Sequence, residues 1–353
     1  MLESKIFKNK TILVTGNTGF QGSWLSEWLI YLGANVIGYS LKPYSEKDNF
    51  LISNLNKRMT TIYGNLNDYE LLDKTFKKYN PDIVFHLAAQ SLVLESYSAP
   101  KETYESNVMG TVNILECSRK TKSVKYIINV TSDKCYQNKE WIWPYRENDP
   151  LGGFDPYSSS KSCSEIITNS YRNSFFHPNK YQEHKVSISS VRAGNVLGGG
   201  DWHSNNLIPS CINSIEKKEP ILLRNPNALR PWQFVLDALY GYLLLVQKMI
   251  QEPIIFSDAW NFGPNNDNVI SVKNITSSII KEYGLSSYKV ETLHNDLHES
   301  NVLLIDSQKS RNKIGWNPKY CIEQIISETI FWYKNYNEQN NISINQIKKY
   351  MSY

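Results

Sequence analysis

The sequence predicts an α/β fold, a doubly wound, mostly parallel sheet with a smaller C-terminal lobe. Three observations predict it. Short β-branched apolar runs alternate with helix-length amphipathic segments through the first 200 residues, which is how strands joined by helical crossovers read. The early strands are almost wholly apolar, as strands covered on both faces must be. A glycine-rich turn joins the first strand to the first helix.

In "TILVTGNTGFQGSWLSEWLIYLG", Ile12 to Thr15 form the first strand. Trp24, Leu25, Trp28, Leu29 and Leu32 recur at helical spacing, and Gly33 stands where a helix C-cap is expected. "NVIGYS" is the second strand and "TTIYGNL" the third, followed by the helix "ELLDKTFKKY". "DIVFHLAA" is the fourth strand, "TYESNVMGTVNILECSRK" a helix, and "KYIINVTS" the fifth strand. A helix begins near Tyr157, and "KVSISSVRAGNV" reads as the sixth strand. Beyond residue 200 the pattern loosens: "EPILLRNPNALRPW", a helix-like "DALYGYLLLVQKMI" and a strand-like "WNFG". We therefore expect a nucleotide-binding domain over 1–200 and a second lobe over 201–353, partly interleaved with it. The Asn-rich "NEQNNISINQ" is expected to be solvated surface.

Composition narrows the function classes. A hydrophobic content of 41% and a charged content of 20% over 353 residues fit a globular chain with a sizeable core. The net charge of +4 is too mild for a nucleic-acid partner. No apolar run reaches the length of a membrane span, and "MLESKIFKNK" lacks an apolar signal region, so a cytoplasmic protein is expected. Cys117, Cys135, Cys163, Cys211 and Cys321 make an odd number without a CxxC pair, which argues against a disulfide framework. His294 and His298 are four apart but carry no zincin pattern, so no metal is expected.

Gly16, Gly19 and Gly22 form GxxGxxG between a strand and a helix. There glycines admit a pyrophosphate to the backbone, and the helix N-terminus offers free N–H groups and the positive dipole end. This is the Rossmann dinucleotide signature; the plain alternative is a tight turn. The acid that usually closes the second strand is missing, because "NVIGYS" ends at Ser40. Lys42 beyond it reads as a 2′-phosphate ligand or as ordinary surface. Tyr157 and Lys161, at i and i+4, share one helix face. A free tyrosine with a pKa near ~10 is a poor base at neutral pH; a neighbouring ammonium is expected to favour its phenolate.

The segments "TGNTGFQGSW", "HLAAQ", "NVMGT", "TSDK" and "PYSSSK" resemble the extended short-chain dehydrogenase/reductase family of nucleotide-sugar enzymes. Longer stretches, "VTSDKCYQNKEWIWPYRENDPLGGFDPYSSSK" and "RNPNALRPWQFVL" among them, resemble its 4,6-dehydratases, specifically the branch acting on CDP-sugars. The resemblance runs from about residue 8 to 335. It implies NAD as cofactor, held by Gly16, Thr18, Gly19, Phe20, Gln21, Gly22, Ser40, Asn65, Leu66, Ala88, Ala89, Gln90, Asn107, Tyr157 and Lys161. It implies a catalytic set of Ser132, Asp133, Lys134, Tyr157 and Lys161, and substrate contacts at Gln90, Ser132, Asn195, Arg224 and Arg230. Asp133 and Lys134 supply the acid–base pair that dehydratases add to the epimerase machinery; which is acid and which is base stays open, and the bland alternative is a salt bridge at a strand end. Lysine at 134, where the dTDP-sugar enzymes carry glutamate, favours the CDP-sugar branch. "QSLVLESY" departs from it: the family pattern has Pro after Gln90 and Arg in place of Leu94.

The implied reaction is dehydration of CDP-D-glucose, by oxidation at carbon 4, elimination across carbons 5 and 6, and hydride return to carbon 6. The rivals are another nucleotide-sugar 4,6-dehydratase, a 4-epimerase of the same fold, or a dinucleotide-binding protein without turnover. The resemblance also implies a homo-oligomer, dimer or tetramer, pairing through the helices near 101–119 and 157–175, where Cys117 and Cys163 read as small packing residues.

Overall fold

The computed structural model describes residues 2–284, 287–291, 300–338 and 341–352; His294 and His298 lie outside them. The main sheet has seven strands. In chain order they are β1 (Thr11–Thr15), β2 (Asn35–Ser40), β3 (Thr60–Tyr63), β4 (Ile83–His86), β5 (Tyr126–Val130), β6 (Ser187–Ala193) and, after three residues 195–197 that form a strand elsewhere, one further strand near residue 260. That elsewhere strand is β7 (Asn195–Leu197), followed by β8 (Ile221–Leu223), β9 (Leu229–Phe234), β10 (Ala259–Phe262), β11 (Val269–Ser271) and β12 (Tyr288–Val290). The main sheet runs β10-β6-β5-β4-β1-β2-β3, and every neighbouring pair is parallel.

The chain goes outward from β1 to β2 and β3, then returns to place β4 on the other side of β1. This reversal opens a crevice beyond the C-terminal ends of β1 and β4, the usual ligand position in such sheets. The two-residue period of a strand decides the packing. Ile12 and Val14 of β1, with Ile83 and Phe85 of β4, enter one apolar core, which also holds Trp24 and Trp28 of the 20–31 helix. Leu13 and Val84 point to the opposite face, where Leu72, Phe76, Ile114 and Cys117 cover them.

Three sequence expectations change. The expected sixth strand divides at Gly194: β6 stays in the main sheet, while β7 pairs with β9 in a separate sheet ordered β11-β9-β7. A Cβ at Gly194 would lie 3.0 Å from Pro231 and 3.1 Å from Asp133 Oδ2, so glycine lets the chain leave the sheet there without pressing on either. "WNFG" contributes β10, which pairs with β6 at the edge of the main sheet, and the 235–251 helix buries Leu236, Leu239, Leu243 and Val246 in the same core as β1. The two halves of the chain interleave there. The Asn-rich tail is not all solvated: a helix spans Ile342–Met351 and buries Ile342, Ser343, Gln346, Ile347 and Tyr350. Those residues share one helix face, which the intervening polar residues hide from a reading of composition. Ser343 Oγ donates to Asn49 Oδ1 at 2.5 Å, and Tyr350 OH to Asp237 Oδ1 at 2.6 Å.

The helix expected from "TYESNVMGTVNILECSRK" forms in three parts: an α-helical turn at Pro100–Tyr104, a π-helical turn at Glu105–Met109, and α-helix from Gly110 to Lys120. Among the described residues no helix is long and apolar enough to cross a membrane.

Candidate active site

The first wall of the cleft is the glycine turn. Gly16 has φ +73°, and a Cβ there would lie 2.8 Å from the Ala88 nitrogen, so glycine alone lets this turn lie against the loop after β4. A Cβ on Gly22 would fall 2.0 Å from Gly16 O. Gly19 is the N-cap of the 20–31 helix and has no side chain to cap its first turn, which leaves those N–H groups and the dipole end for an anion. Gln21 Oε1 is buried without a hydrogen-bond partner among the described residues. Thr18 Oγ1 donates to Leu41 O at 2.9 Å and shares a 2.7 Å hydrogen bond with Ser40 Oγ. Further along, Asn65 Oδ1 accepts from the Asn67 N–H at 2.9 Å, Tyr39 OH donates to Asn65 O at 2.8 Å, and Asn113 donates to Leu66 O at 2.8 Å. The uncapped N–H groups and the glycine cradle fit the diphosphate of a dinucleotide. A consequence is that Gly22→Ala forces the turn open. We expect a loss of about 2 kcal/mol or more of stability, on the scale of overpacked sites, together with loss of dinucleotide binding, read by thermal melting with and without NAD+. Wild-type melting with intact binding would contradict this geometry.

The second wall is the end of β5. Ser132 is the N-cap of a short 3-10 turn, Asp133–Cys135; its Oγ accepts from the Lys134 N–H at 3.2 Å and donates to Asp133 Oδ1 at 3.1 Å. Facing it is the helix Pro156–Ser174, begun by Asp155, whose carboxylate takes the Ser158 N–H at 2.9 Å and the Ser158 hydroxyl at 2.6 Å. This helix presents Tyr157 and Lys161 one turn apart, both buried. Burial pushes Tyr157 above the ordinary phenol range, and the hydrogen bond with Ser132 opposes it. Burial also brings Lys161 down to about 8, and its Nζ donates to Val130 O at 3.2 Å. The Lys161 ammonium is thus anchored at the strand end one turn from Tyr157, and the Ser132 hydrogen bond favours the phenolate against burial. Asp133 is pushed up by burial, against the pull of Lys134, the Ser132 hydrogen bond and Arg230. Its Oδ2 is buried without a partner among the described residues. A carboxyl held upward in this way is suited to donate a proton.

One large cleft, about 1100 Å³, joins the two walls. It stands at the upper end of the ~300–1,000 Å³ common for small-molecule sites. Thr18, Phe20, Gln21, Ser40, Asn65, Leu66, Ala88, Ala89, Gln90, Ser132, Asp133, Lys134, Tyr157, Lys161, Asn195, Arg224 and Arg230 all line it, with the three glycines of the turn. Arg230 is buried on β9 and its Nη1 donates to Leu229 O at 3.0 Å and Asn301 O at 3.2 Å; Arg224 donates to Asn205 O at 3.3 Å from an exposed position. Leu94 also reaches the cleft.

Asn107 does not line this cleft. Its amide accepts from the Gln90 N–H at 2.8 Å and donates to Gln90 O at 2.9 Å and Ser160 Oγ at 2.8 Å. The π-helical turn aims it inward, so it clamps the loop after β4 to the 156–174 helix. The Gln90 side chain is likewise engaged, donating to Leu92 O and Thr103 Oγ1, each at 3.0 Å. Sequence reasoning missed Tyr44 and His203, whose rings lie 4.4 Å apart at an interplanar angle of 31° and which both line the cleft. The glycine run before His203 was the one available signal.

A family model described as GDP-mannose 4,6 dehydratase matches residues 13–329. The chain is 41% identical over 355 residues to CDP-glucose 4,6-dehydratase from Salmonella typhimurium (strain LT2), covering 100% of this chain and 99% of that protein. Among solved structures, dTDP-glucose 4,6-dehydratase from Bacillus anthracis str. Ames in complex with NAD superposes with a TM-score of 0.75 at 24% identity, covering 93% of this chain and 97% of that one. UDP-glucose 4-epimerase from Thermotoga maritima with UDP-glucose gives 0.77 at 22% identity, covering 93% and 100%. Those two likenesses show the shared fold. The family match and the full-length relative go further, and together with the motifs lining the cleft they mean that this chain belongs to the GDP-mannose 4,6 dehydratase family.

Proposed function

We propose that this protein is an NAD-dependent nucleotide-sugar 4,6-dehydratase that converts CDP-D-glucose to CDP-4-dehydro-6-deoxy-D-glucose. The observation that carries the reading is the placement of Asp133 and Lys134 directly after Ser132, in one cleft with Tyr157 and Lys161. The full-length similarity to CDP-glucose 4,6-dehydratase supports the choice of nucleotide.

NAD, held by the glycine turn and by Ser40, Asn65, Leu66, Ala88 and Ala89, supplies hydride acceptance and return when bound. The chain's own residues handle protons. Tyr157 takes the proton of the sugar 4-hydroxyl through the contact it shares with Ser132. The ketone formed at carbon 4 acidifies the hydrogen on carbon 5, and Lys134 removes it. Asp133, whose carboxyl burial pushes up, delivers its proton to the departing 6-hydroxyl, which leaves as water. Arg230, with Arg224, pairs with the substrate diphosphate, a task that suits a guanidinium; Asn195 and the Gln90 loop border the sugar. Exposed Tyr104, Met109 and Ile166 on the helices 100–120 and 156–174, with Phe175 just beyond the second, support a homo-oligomer built on those helices, and we place the enzyme in the cytoplasm.

The test is a panel of CDP-, dTDP-, GDP- and UDP-glucose, with the 4-keto product read by its absorbance in alkali. Product from CDP-glucose well ahead of the others is expected. Preference for another nucleotide, or 4-epimer in place of the keto sugar, overturns the reading.

A prediction on cofactor affinity follows from the adenosine end. Neither Ser40 nor Asn65 is acidic, and both are already tied to neighbours, so ribose and adenine gain no charge-assisted bond. Purified protein is expected to hold less than one equivalent of NAD and to gain activity when NAD+ is added. A full, retained equivalent would contradict this, as would a preference for NADP+, which would make Lys42 a phosphate ligand.

A further inference from the structure

Behind the end of β5 lies a buried ion pair that the chemistry above does not use. Glu165 stands one helical turn beyond Lys161 on the 156–174 helix, and Arg192 lies on β6. Their side chains are 2% and 3% exposed, and Arg192 Nη2 donates to Glu165 Oε2 at 2.9 Å. Buried pairs of this kind add little net stability compared with an apolar replacement, so stability alone is a poor account of it.

The Glu165 carboxylate is fully engaged. Oε1 accepts from Thr131 Oγ1 at 2.5 Å and Oε2 from Ser190 Oγ at 2.7 Å. Thr131 sits between Val130, whose carbonyl takes Lys161 Nζ, and Ser132, the partner of Tyr157. Arg192 extends the network by donating to Tyr136 OH at 2.7 Å and Glu147 O at 3.1 Å, while Tyr136 OH donates to Asn261 Oδ1 at 2.7 Å. Strand β6 and the residue after β5 thus meet the catalytic helix at one carboxylate, and Arg192 and Tyr136 carry the network on to β10.

We propose that Glu165 is a positioning residue for the dehydratase: from one helical turn beyond Lys161, its carboxylate holds Thr131, and with it Ser132, in place against Tyr157. The inference rests on the roles given above to Ser132, Tyr157 and Lys161. The electrostatics agree in sign. Burial lowers Lys161, and Glu165 is the first of the groups opposing it. Cys135 opposes it after Glu165, though burial pushes that thiol up, and burial keeps His86 neutral, at about 3. Burial would raise Glu165 itself, yet Arg192 and the Thr131 and Ser190 hydroxyls hold it below the usual carboxylate value. Arg172, also buried, feels the same carboxylate. Without the Glu165 charge, Lys161 loses its proton at lower pH, so the alkaline fall of kcat moves to lower pH.

Two variants test this. Thr131→Val cuts the hydroxyl link and leaves the ion pair; it should lower kcat about tenfold, the scale of one hydrogen bond to a charged group, with KM for CDP-glucose little changed, and Thr131→Ser should recover most of that loss. Glu165→Gln should shift both the alkaline limb of kcat and the titration of Lys161, the latter read without turnover by competitive trace acetylation and peptide mass analysis. Wild-type kcat in Thr131→Val, or an unmoved Lys161 titration in folded Glu165→Gln, overturns the proposal. Should Glu165→Gln fail to fold, the threonine pair decides. A wild-type protein that makes no 4-keto sugar sinks the assigned reaction instead, and the acetylation experiment still reads the Glu165–Lys161 coupling.

Discussion

Tyr157→Phe is expected to lower formation of the 4-keto product by about 10²–10⁴-fold, the usual contribution of a positioned acid–base group. The substitution removes one hydroxyl and keeps the buried ring. Its partner Ser132 retains the hydrogen bond to Asp133, so the site should keep its shape. The measurements are initial rates on CDP-glucose and a thermal melt of both proteins. Near wild-type turnover in a folded variant would show that the hydroxyl proton leaves by another route, and that the Tyr157–Lys161 assignment is wrong.

The second large effect separates the steps. If Asp133 and Lys134 serve elimination alone, oxidation at carbon 4 survives without them. Asp133→Asn and Lys134→Ala should each still give the absorbance of reduced cofactor slowly on mixing with CDP-glucose, while dehydrated product falls by about 10²–10⁴-fold. Asp133→Asn is the gentler change, since an amide oxygen still accepts from the Ser132 hydroxyl and only the transferable proton is lost. Full turnover by Lys134→Ala would make the pair structural. Loss of both signals would assign the pair to holding the sugar for the first step.

The parts of the fold that were legible in the sequence share one property: their signal is local. Ile12–Thr15 or Ile83–His86 cannot be much other than buried strands, and the i, i+4 spacing of Tyr157 and Lys161 is a property of one helix. What was not legible depends on partners far along the chain. Nothing in "WNFG" says that it pairs with β6 rather than closing a separate lobe. The sixth strand divides at Gly194 because β7 pairs with β9, a strand more than thirty residues further along the chain. The tail helix was missed because two of its five buried positions, Ser343 and Gln346, are polar and the Asn-rich stretch before it masks the apolar stripe.

The site divides in the same way. The glycine turn and the Ser132–Lys134 run are contiguous and were read directly. For Asn107 the sequence left a structural and a cofactor-side role open; its bonds to Gln90 and Ser160, from a π-helical turn that no spacing rule anticipates, show a structural one. The Glu165–Arg192 pair escaped notice because the two residues belong to different elements and meet only when β6 lies beside β5. The i, i+4 spacing placed Tyr157 and Lys161 on one helix face, but the anchoring of the ammonium at Val130 O was not legible, because that acceptor lies on another element.

The central claim is that this cleft performs an internal oxidation, elimination and reduction with proton exchange at carbon 5 alone. Isotope placement tests it most directly. CDP-glucose carrying deuterium at carbon 4, turned over in ordinary water, should give product with that deuterium at carbon 6. Unlabelled substrate turned over in heavy water should give product with one solvent deuterium, at carbon 5, read by NMR and mass spectrometry. Solvent deuterium at carbon 6, or loss of the carbon 4 label to water, would contradict the account.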